Sequence, residues 1–406
     1  MKRTLLTAAV VAIAVTGALA QAPATVFEGA RVIAGDGRPP IENATIVLQG
    51  DRFTQVGSAA SVKAPAGATR VSLAGKTVMP AIVDTHVHTS TTEAALVTDL
   101  QRRAAFGVGA ALSMGLDGTD AAFVQRGKVV PTLARIFTAG RGITAPEKGR
   151  TEVPYWVTAE DEARRAVREL AAKQVDLVKI WVDDRNGQFP KLSQPLYAAV
   201  IDEAHKNQLR VAAHIFSLED AKGLLRAGVD AFAHGIRDRD IDDEVLGLFK
   251  ARPNVVLIPN MPDRGVAADY GWLRGRISDG ELQKLQAGAT DRPQAQAAFG
   301  IQARNLAKLA AAGVRIAVGT DGNTPWAPHV EMADMVASGM TPAQVIVAAT
   351  RNGAEFVRLP NTGTIETGKT ADFIVLDGNP LDDITNTRKI AAVYLRGAAV
   401  DRTSPR

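Results

Sequence analysis

Residues 25–79 alternate apolar and polar positions in short runs separated by turns. Thr25-Val26-Phe27, Ala30-Arg31-Val32-Ile33, Ala44-Thr45-Ile46-Val47-Leu48 and Phe53-Thr54-Gln55-Val56 read as strands. Gly35-Asp36-Gly37, Pro39-Pro40 and Gly50-Asp51 supply the turns between them. The other end of the chain repeats this texture. Gly363-Thr364-Ile365, Ala371-Asp372-Phe373-Ile374-Val375-Leu376 and Ile390-Ala391-Ala392-Val393-Tyr394 are strand-like, with Gly368, Gly378-Asn379-Pro380 and Gly397 between them. Two strand-rich ends around a different middle predict one small β-sandwich assembled from both termini.

Between them, residues 80–358 alternate β-branched runs with amphipathic helices. Thr158 is expected to open a helix with Asp161 at its third position and Ala163, Val167 and Leu170 as its apolar stripe. Ser217 opens another, in which Ala221, Leu224 and Leu225 share a face before Gly228 ends it. Thr341-Pro342 followed by Gln344 is a capping box with proline at the first helical position. Among these helices lie Leu177-Val178-Lys179-Ile180, Val211-Ala212-Ala213, Ala231-Phe232-Ala233, Val255-Val256-Leu257-Ile258 and Val314-Arg315-Ile316-Ala317-Val318. Strand–helix alternation over about 280 residues is the size of a (β/α)₈ TIM barrel. The competing doubly wound sheet lacks its Gly-rich dinucleotide fingerprint after an early strand. The expected organisation is therefore 1–20 signal peptide, 21–79 and 359–406 the two parts of the sandwich, and 80–358 the barrel.

Composition narrows the chemistry. With 46% hydrophobic and 22% charged residues, the chain has ample material for a packed core and is not a disordered or fibrous sequence. It contains no cysteine, which excludes disulfide scaffolds, thiolate metal sites and cysteine nucleophiles. The net charge of +4 includes Lys2 and Arg3, and no basic cluster follows, so nothing points to a nucleic-acid partner. Those two basic residues, the apolar stretch 5–15 and Ala18-Leu19-Ala20 before Gln21 form an export signal. The apolar run falls short of the ~20 residues needed to span a bilayer. Cleavage there leaves an exported protein, periplasmic in a bacterium, with no membrane anchor.

Several apolar runs end on residues that bind metals. His86 and His88, spaced by two on Ile82-Val83-Asp84-Thr85-His86-Val87-His88, face the same way on a strand. Lys179 interrupts an apolar run, where an unpaired ammonium is costly. His214 and His234 close their runs one strand–helix repeat apart, and Asp321 follows Ile316-Ala317-Val318-Gly319-Thr320. Taken singly, each fits a satisfied core position as readily as a ligand. Their joint convergence on one rim predicts a metal site, and imidazole with carboxylate suits zinc. His205 reads as surface, whereas His329, in the loop after Asp321, is a candidate substrate contact. The rival Ser/His/Asp scheme lacks a Gly-x-Ser-x-Gly elbow.

The ordered set resembles the amidohydrolase superfamily. So does the flanking text, Val78-Met79-Pro80-Ala81-Ile82-Val83-Asp84-Thr85-His86-Val87-His88 and Gly319-Thr320-Asp321, with Gly363-Thr364-Ile365-Glu366-Thr367-Gly368-Lys369-Thr370-Ala371-Asp372 in the tail. Val178-Lys179-Ile180 and His234-Gly235 are similar to the imidazolonepropionase-like and prolidase-like branch. The resemblance implies that His86, His88 and Asp321 hold one metal and His214 and His234 a second. It also implies an N6-carboxylated Lys179 as the bridge between them, and Asp321 as general base and then acid; an unmodified Lys179 favours a single ion.

The substrate is expected to meet the loops 141–156, 237–240, 261–270 and 324–329. Arg237, Arg239 and Arg264 are candidates for pairing a substrate carboxylate, and Tyr155, Trp156 and Trp326 for an apolar subsite. The resulting expectation is an exported amidohydrolase acting on a dipeptide or N-acyl amino acid. Hydrolysis of a lactone, carbamate ester or cyclic amide on the same site is the alternative. A non-catalytic exported binding protein is the reading from another class, and the intact ligand set argues against it. The sequence leaves homo-oligomerisation open.

Overall fold

A computed structural model describes residues 23–403. The export signal expected at 1–20 lies outside the described residues. Among the described residues, no helix is long and apolar enough to cross a membrane.

The two ends of the chain share one eight-stranded sheet. Its order runs Ala398–Ala399, Ile390–Leu395, Phe373–Leu376, Thr77–Pro80, Ala24–Val32, Ile41–Gln49, Arg52–Ser58, and Thr69–Ser72 also pairs with Ala24–Val32. The join between the termini is the antiparallel pairing of Phe373 with Pro80 and Val375 with Val78. The two strands expected at 25–27 and 30–33 are one, because an irregularity between Glu28 and Ala30 lets it bend without ending. Gly29 takes up the bend at φ +83°. Gly363-Thr364-Ile365 forms no strand. Ile365 is nevertheless buried, and its N–H donates to the Ala34 carbonyl at 2.9 Å. Phe27, Phe53, Phe373 and Tyr394 build the aromatic centre of this part, with Phe373 and Tyr394 stacked at 4.7 Å.

The middle of the chain is an α/β structure of parallel strands. Ile82–Val87, Val108–Ser113 and Arg135–Thr138 form one sheet. The other contains Val178–Trp181, Val211–His214, Ala231–Ala233, Val256–Ile258 and Arg315–Ile316, with the short strands Ile143–Thr144 and Tyr155–Trp156 at its edge. The strands between Val178 and Ile258 are buried at every position, as parallel strands covered on both faces must be. Hydrogen bonds connect the two sheets on both sides. Asp176 N–H reaches the Thr138 carbonyl at 2.9 Å, and Thr85 N–H reaches the Val318 carbonyl at 2.9 Å.

Helices follow most of these strands. Ser217 caps Leu218–Ala227 through the Asp220 N–H, and Gly228 ends it at φ +105°. Thr341 and Gln344 make the expected reciprocal cap. The helix expected to open at Thr158 begins at Glu160. Thr158 stands outside it, because Glu162 folds back to accept from the Thr158 N–H at 2.7 Å and hydroxyl at 3.0 Å.

Candidate metal centre

His86 belongs to the Ile82–Val87 strand, and His88 follows one residue past its end. The segment after Arg315–Ile316 is bonded alongside. Thr320 N–H and Asp321 N–H both donate to the His86 carbonyl, at 3.0 and 2.8 Å, and His88 N–H donates to Gly322. Gly319 permits this approach, since a Cβ there would lie 2.4 Å from Ile258 and 2.8 Å from the His86 Cβ. Asp321 itself adopts φ +53°, a left-handed conformation that a non-glycine residue keeps only where its surroundings impose it. The result is a cluster in which one ligand atom each from His86, His88 and Asp321 lies within 4.8 Å of the others.

The protonation pattern of this cluster suits a cation. His86 Nδ1 lies 2.9 Å from Asn260 Oδ1, which also accepts from the His234 backbone at 3.2 Å. The Nδ1 proton therefore goes to Asn260, and the lone pair of Nε2 faces Asp321 Oδ1 at 3.1 Å. Two acceptors at that separation repel unless a positive charge lies between them. His88 Nε2 is 3.0 Å from the same oxygen. Burial, then the Lys179 charge, lowers the His86 pKa to about 4. Burial opposes ionisation of the Asp321 carboxyl, yet it is held well below the usual carboxylate range. A neutral imidazole beside a charged carboxylate is the donor set that a divalent ion requires.

His214 and His234 adjoin this cluster with their rings 4.5 Å apart, and the His86 and His234 rings are 5.4 Å apart. The strand register pairs His214 with Ala233, so His234 lies one position beyond it, at φ +86°. Among the described residues, neither the buried His234 Nε2 nor His88 Nδ1 has a hydrogen-bond partner. Lys179 is fully buried, with Nζ 3.5 Å from His86 Nε2 and 5.3 Å from the Trp181 ring. Burial lowers its pKa to about 7, so much of the amine is neutral at physiological pH.

The remaining candidates separate. The Arg237 guanidinium lies 3.2 Å above the Phe216 ring, whose other neighbours are His214 and His234. It makes no ion pair among the described residues. Trp326 joins Tyr270 and Trp272 on the wall of a cavity of about 710 Å³, which also includes Arg264, Glu331 and Thr320. Tyr155 does not join the cluster; its ring lies under the Arg141 guanidinium, 4.1 Å away. Trp156 donates to the Thr151 carbonyl, and Arg239 pairs with Asp238. His329 is wholly buried and is not a substrate contact: Nε2 bonds the Phe106 carbonyl at 2.9 Å and Nδ1 meets Thr387 at 3.1 Å. His205 is paired with Asp230.

Sequence reasoning missed a layer of residues that hold the cluster in place. Arg103 and Asp84 form a fully buried ion pair at 3.2 Å. Arg103 also donates to the Gly322 carbonyl and to Asn323, while Thr320 donates its hydroxyl to Asp84. These bonds fix both sides of Asp321. Asn260 carried a readable signal, since it closes an apolar run as His214 does. Arg103, within Gln101-Arg102-Arg103, carried none.

A parallel α/β scaffold that gathers imidazoles, a carboxylate and a buried lysine at its strand ends is built for hydrolytic chemistry. The chain belongs to the amidohydrolase family, which it matches over residues 77–400, and it is a hydrolase acting on small molecules. It is 27% identical to an imidazolonepropionase of Deinococcus radiodurans over 88% of this chain and 92% of that protein. It is 28% identical to the ochratoxinase of Aspergillus niger over 68% of this chain and 55% of that one. A solved structure assigned as a prolidase, from Bifidobacterium longum, superposes with a TM-score of 0.79 at 28% identity, covering 95% and 96% of the two chains.

Proposed function

We propose that the protein is an exported, metal-dependent amidohydrolase that cleaves an amide or peptide bond in a dipeptide or N-acyl amino acid. The observation that carries this reading is His86 Nε2 facing Asp321 Oδ1 at 3.1 Å with its other nitrogen bonded to Asn260. The two parallel sheets and the bonds between them support a closed (β/α)₈ barrel over 80–358, and the shared terminal sheet supports a sandwich formed by 21–79 with 359–406. Export rests on the sequence of residues 1–20.

His86, His88 and Asp321 would hold one zinc ion, and His214 and His234 a second. Lys179 would fit as the group shared between the two ions: its neutral amine adds CO₂ and releases one proton, leaving an anionic carbamate where an uncharged amine stood. Bound there, the ion supplies Lewis acidity toward the carbonyl and an activated water at neutral pH. Asp321, itself one of the residues that would hold the ion, would take the proton of the attacking water and return it to the leaving nitrogen. Arg237, stacked on Phe216 and without an ion pair among the described residues, receives the substrate carboxylate. Phe216 excludes water from the His214–His234 side.

The likeness to an imidazolonepropionase favours a second reading, hydrolysis of a cyclic amide or a related lactone or carbamate on the same site. One experiment separates these. Purified protein is analysed for bound divalent metal and assayed on N-acyl amino acids, dipeptides, cyclic amides, lactones and carbamates, with His86→Ala as control. Turnover of the acyclic amides, abolished by chelation and by H86A, is the expected result. Turnover of the cyclic substrates or esters alone overturns the amide assignment, and absence of metal with no activity restored by zinc or cobalt overturns the metal-dependent mechanism.

A further inference from the structure

His214 has a partner that the family likeness and the mechanism above leave unused. Asp183 Oδ2 lies 3.1 Å from His214 Nε2 and 2.6 Å from Arg185 Nη1, and Asp183 Oδ1 accepts the Arg185 backbone N–H at 2.9 Å. Arg185 is held in turn by the buried Glu147, which accepts from its Nε at 3.0 Å. Glu147 also accepts from Arg150 at 2.8 Å. The backbone is arranged for this contact: Arg185, Asn186 and Gly187 have φ of +54°, +59° and +78°, a run of left-handed residues that folds the arginine back over the strand end.

We propose that Asp183, clamped by Arg185 and Glu147, is a positioning residue that fixes the tautomer of His214. Arg185 Nη1 also lies 3.2 Å from His214 Nε2, so the ring nitrogen has both a donor and an acceptor nearby. The choice between them follows from Asp183. A lone pair on Nε2 would face a carboxylate oxygen at 3.1 Å, acceptor against acceptor, whereas an Nε2–H shares that oxygen with Arg185 as a second donor. The proton therefore sits on Nε2, and the lone pair that remains is on Nδ1. A carboxylate on the outer nitrogen of a ligating histidine fixes the ring and raises its basicity, and losing such a partner typically weakens metal binding about 10–100-fold. Asn260 does the same for His86, so each of the two histidines has its own outer acceptor.

This inference rests on the metal reading, and the test separates the two. Zn²⁺ affinity is measured by chelator competition for the full-length wild type, Asp183→Ala and Asp183→Asn. Long-range ¹H–¹⁵N spectra of the zinc-loaded protein, which has six histidines, read the tautomer of His214. The wild type should show His214 protonated on Nε2. D183A should weaken one zinc equivalent by about 10–100-fold, and D183N, whose amide oxygen still accepts the N–H, should stay within a few-fold of wild type. Unchanged affinity in D183A, or a wild-type His214 protonated on Nδ1, overturns the inference while leaving the metal reading intact. A wild type that takes up no zinc overturns both.

Discussion

His86 Nε2 stands 3.1 Å from Asp321 Oδ1, while His86 Nδ1 is bonded to Asn260 Oδ1 at 2.9 Å. These two distances define the electrostatics of the centre. Asn260 takes the only ring proton of a neutral imidazole, so a lone pair and a carboxylate oxygen are left facing each other. The strand-to-strand bonds at the His86 carbonyl prevent them from moving apart. The strain at Asp321, His234 and Asn260, with φ of +53°, +86° and +43°, is concentrated around this arrangement.

Asn260 should accordingly control metal affinity without touching the metal. Replacing it with alanine removes the acceptor, and zinc binding should weaken about 10–100-fold. Alanine is also strained at this φ, so Asn260→Asp, which keeps an acceptor and tolerates the left-handed region, is the matched control. Equal zinc affinity for N260A and wild type would contradict this account of the His86 tautomer.

Arg237 should act on substrate binding and leave the chemical step alone. Its guanidinium stacks on Phe216 and makes no ion pair among the described residues. Arg237→Met keeps the stacking bulk and deletes the charge. A charge-assisted bond to a carboxylate contributes about 1.5–3 kcal/mol, so KM for substrates with a free carboxylate should rise roughly ten- to hundredfold. The same substrates as their amides should show little change. A fall in kcat at constant KM would place Arg237 in the chemistry instead.

The residues at the strand ends were legible in the sequence for a simple reason: a histidine, lysine or aspartate that closes an apolar run stands out against its neighbours. The terminal sheet was legible from its short, turn-bounded runs at both ends of the chain; alternation alone did not mark it, since Thr77–Pro80 and Phe373–Leu376 are buried at every position. The groups that hold the cluster were hidden. Arg103 lies in a helix whose text reads as surface, and its burial depends on Asp84 and Gly322, which reach it only after the chain has folded. Asn186-Gly187 announces the left-handed turn beside Asp183 and Arg185, but not that it folds these two side chains onto His214. Trp326 and His329 lie three residues apart in the same region, yet one lines a cavity and the other is sealed beneath it. Side-chain direction there is set by the packing of the Ala327–Ala337 helix against Phe106 and Thr387, which no local pattern encodes.

The Arg103–Asp84 pair should be more costly to break than to remove. Both side chains are fully buried, and deleting one partner leaves an uncompensated charge. Arg103→Met should destabilise the protein by about 3–5 kcal/mol, seen as a shift in the denaturant midpoint. The double variant Arg103→Met with Asp84→Asn, which leaves no buried charge and retains polar contacts to Thr320 and His86, should recover part of that loss. A double variant no more stable than R103M would assign the effect to packing.

His329 offers a test of stability against pH that is separate from the chemistry. Burial lowers its pKa from 6.5 to about 4, with the Phe106 carbonyl opposing the shift. Between those two values the unfolded chain binds a proton that the folded chain excludes. Stability should therefore fall as the pH drops from 6.5 toward 4 and level off below, by about 3 kcal/mol in total from this one group. His86 and His214, held near 4 and 3 mainly by burial, contribute with the same sign, so the wild-type slope alone does not isolate His329. His329→Gln does, because glutamine can still donate to the Phe106 carbonyl but has no titrating proton. Between pH 4 and 6.5 the stability of H329Q should decline less steeply than that of wild type, while kcat and KM at neutral pH stay the same. Identical slopes would show that His329 is not held neutral in the folded protein, and a loss of kcat in H329Q would return it to the active site.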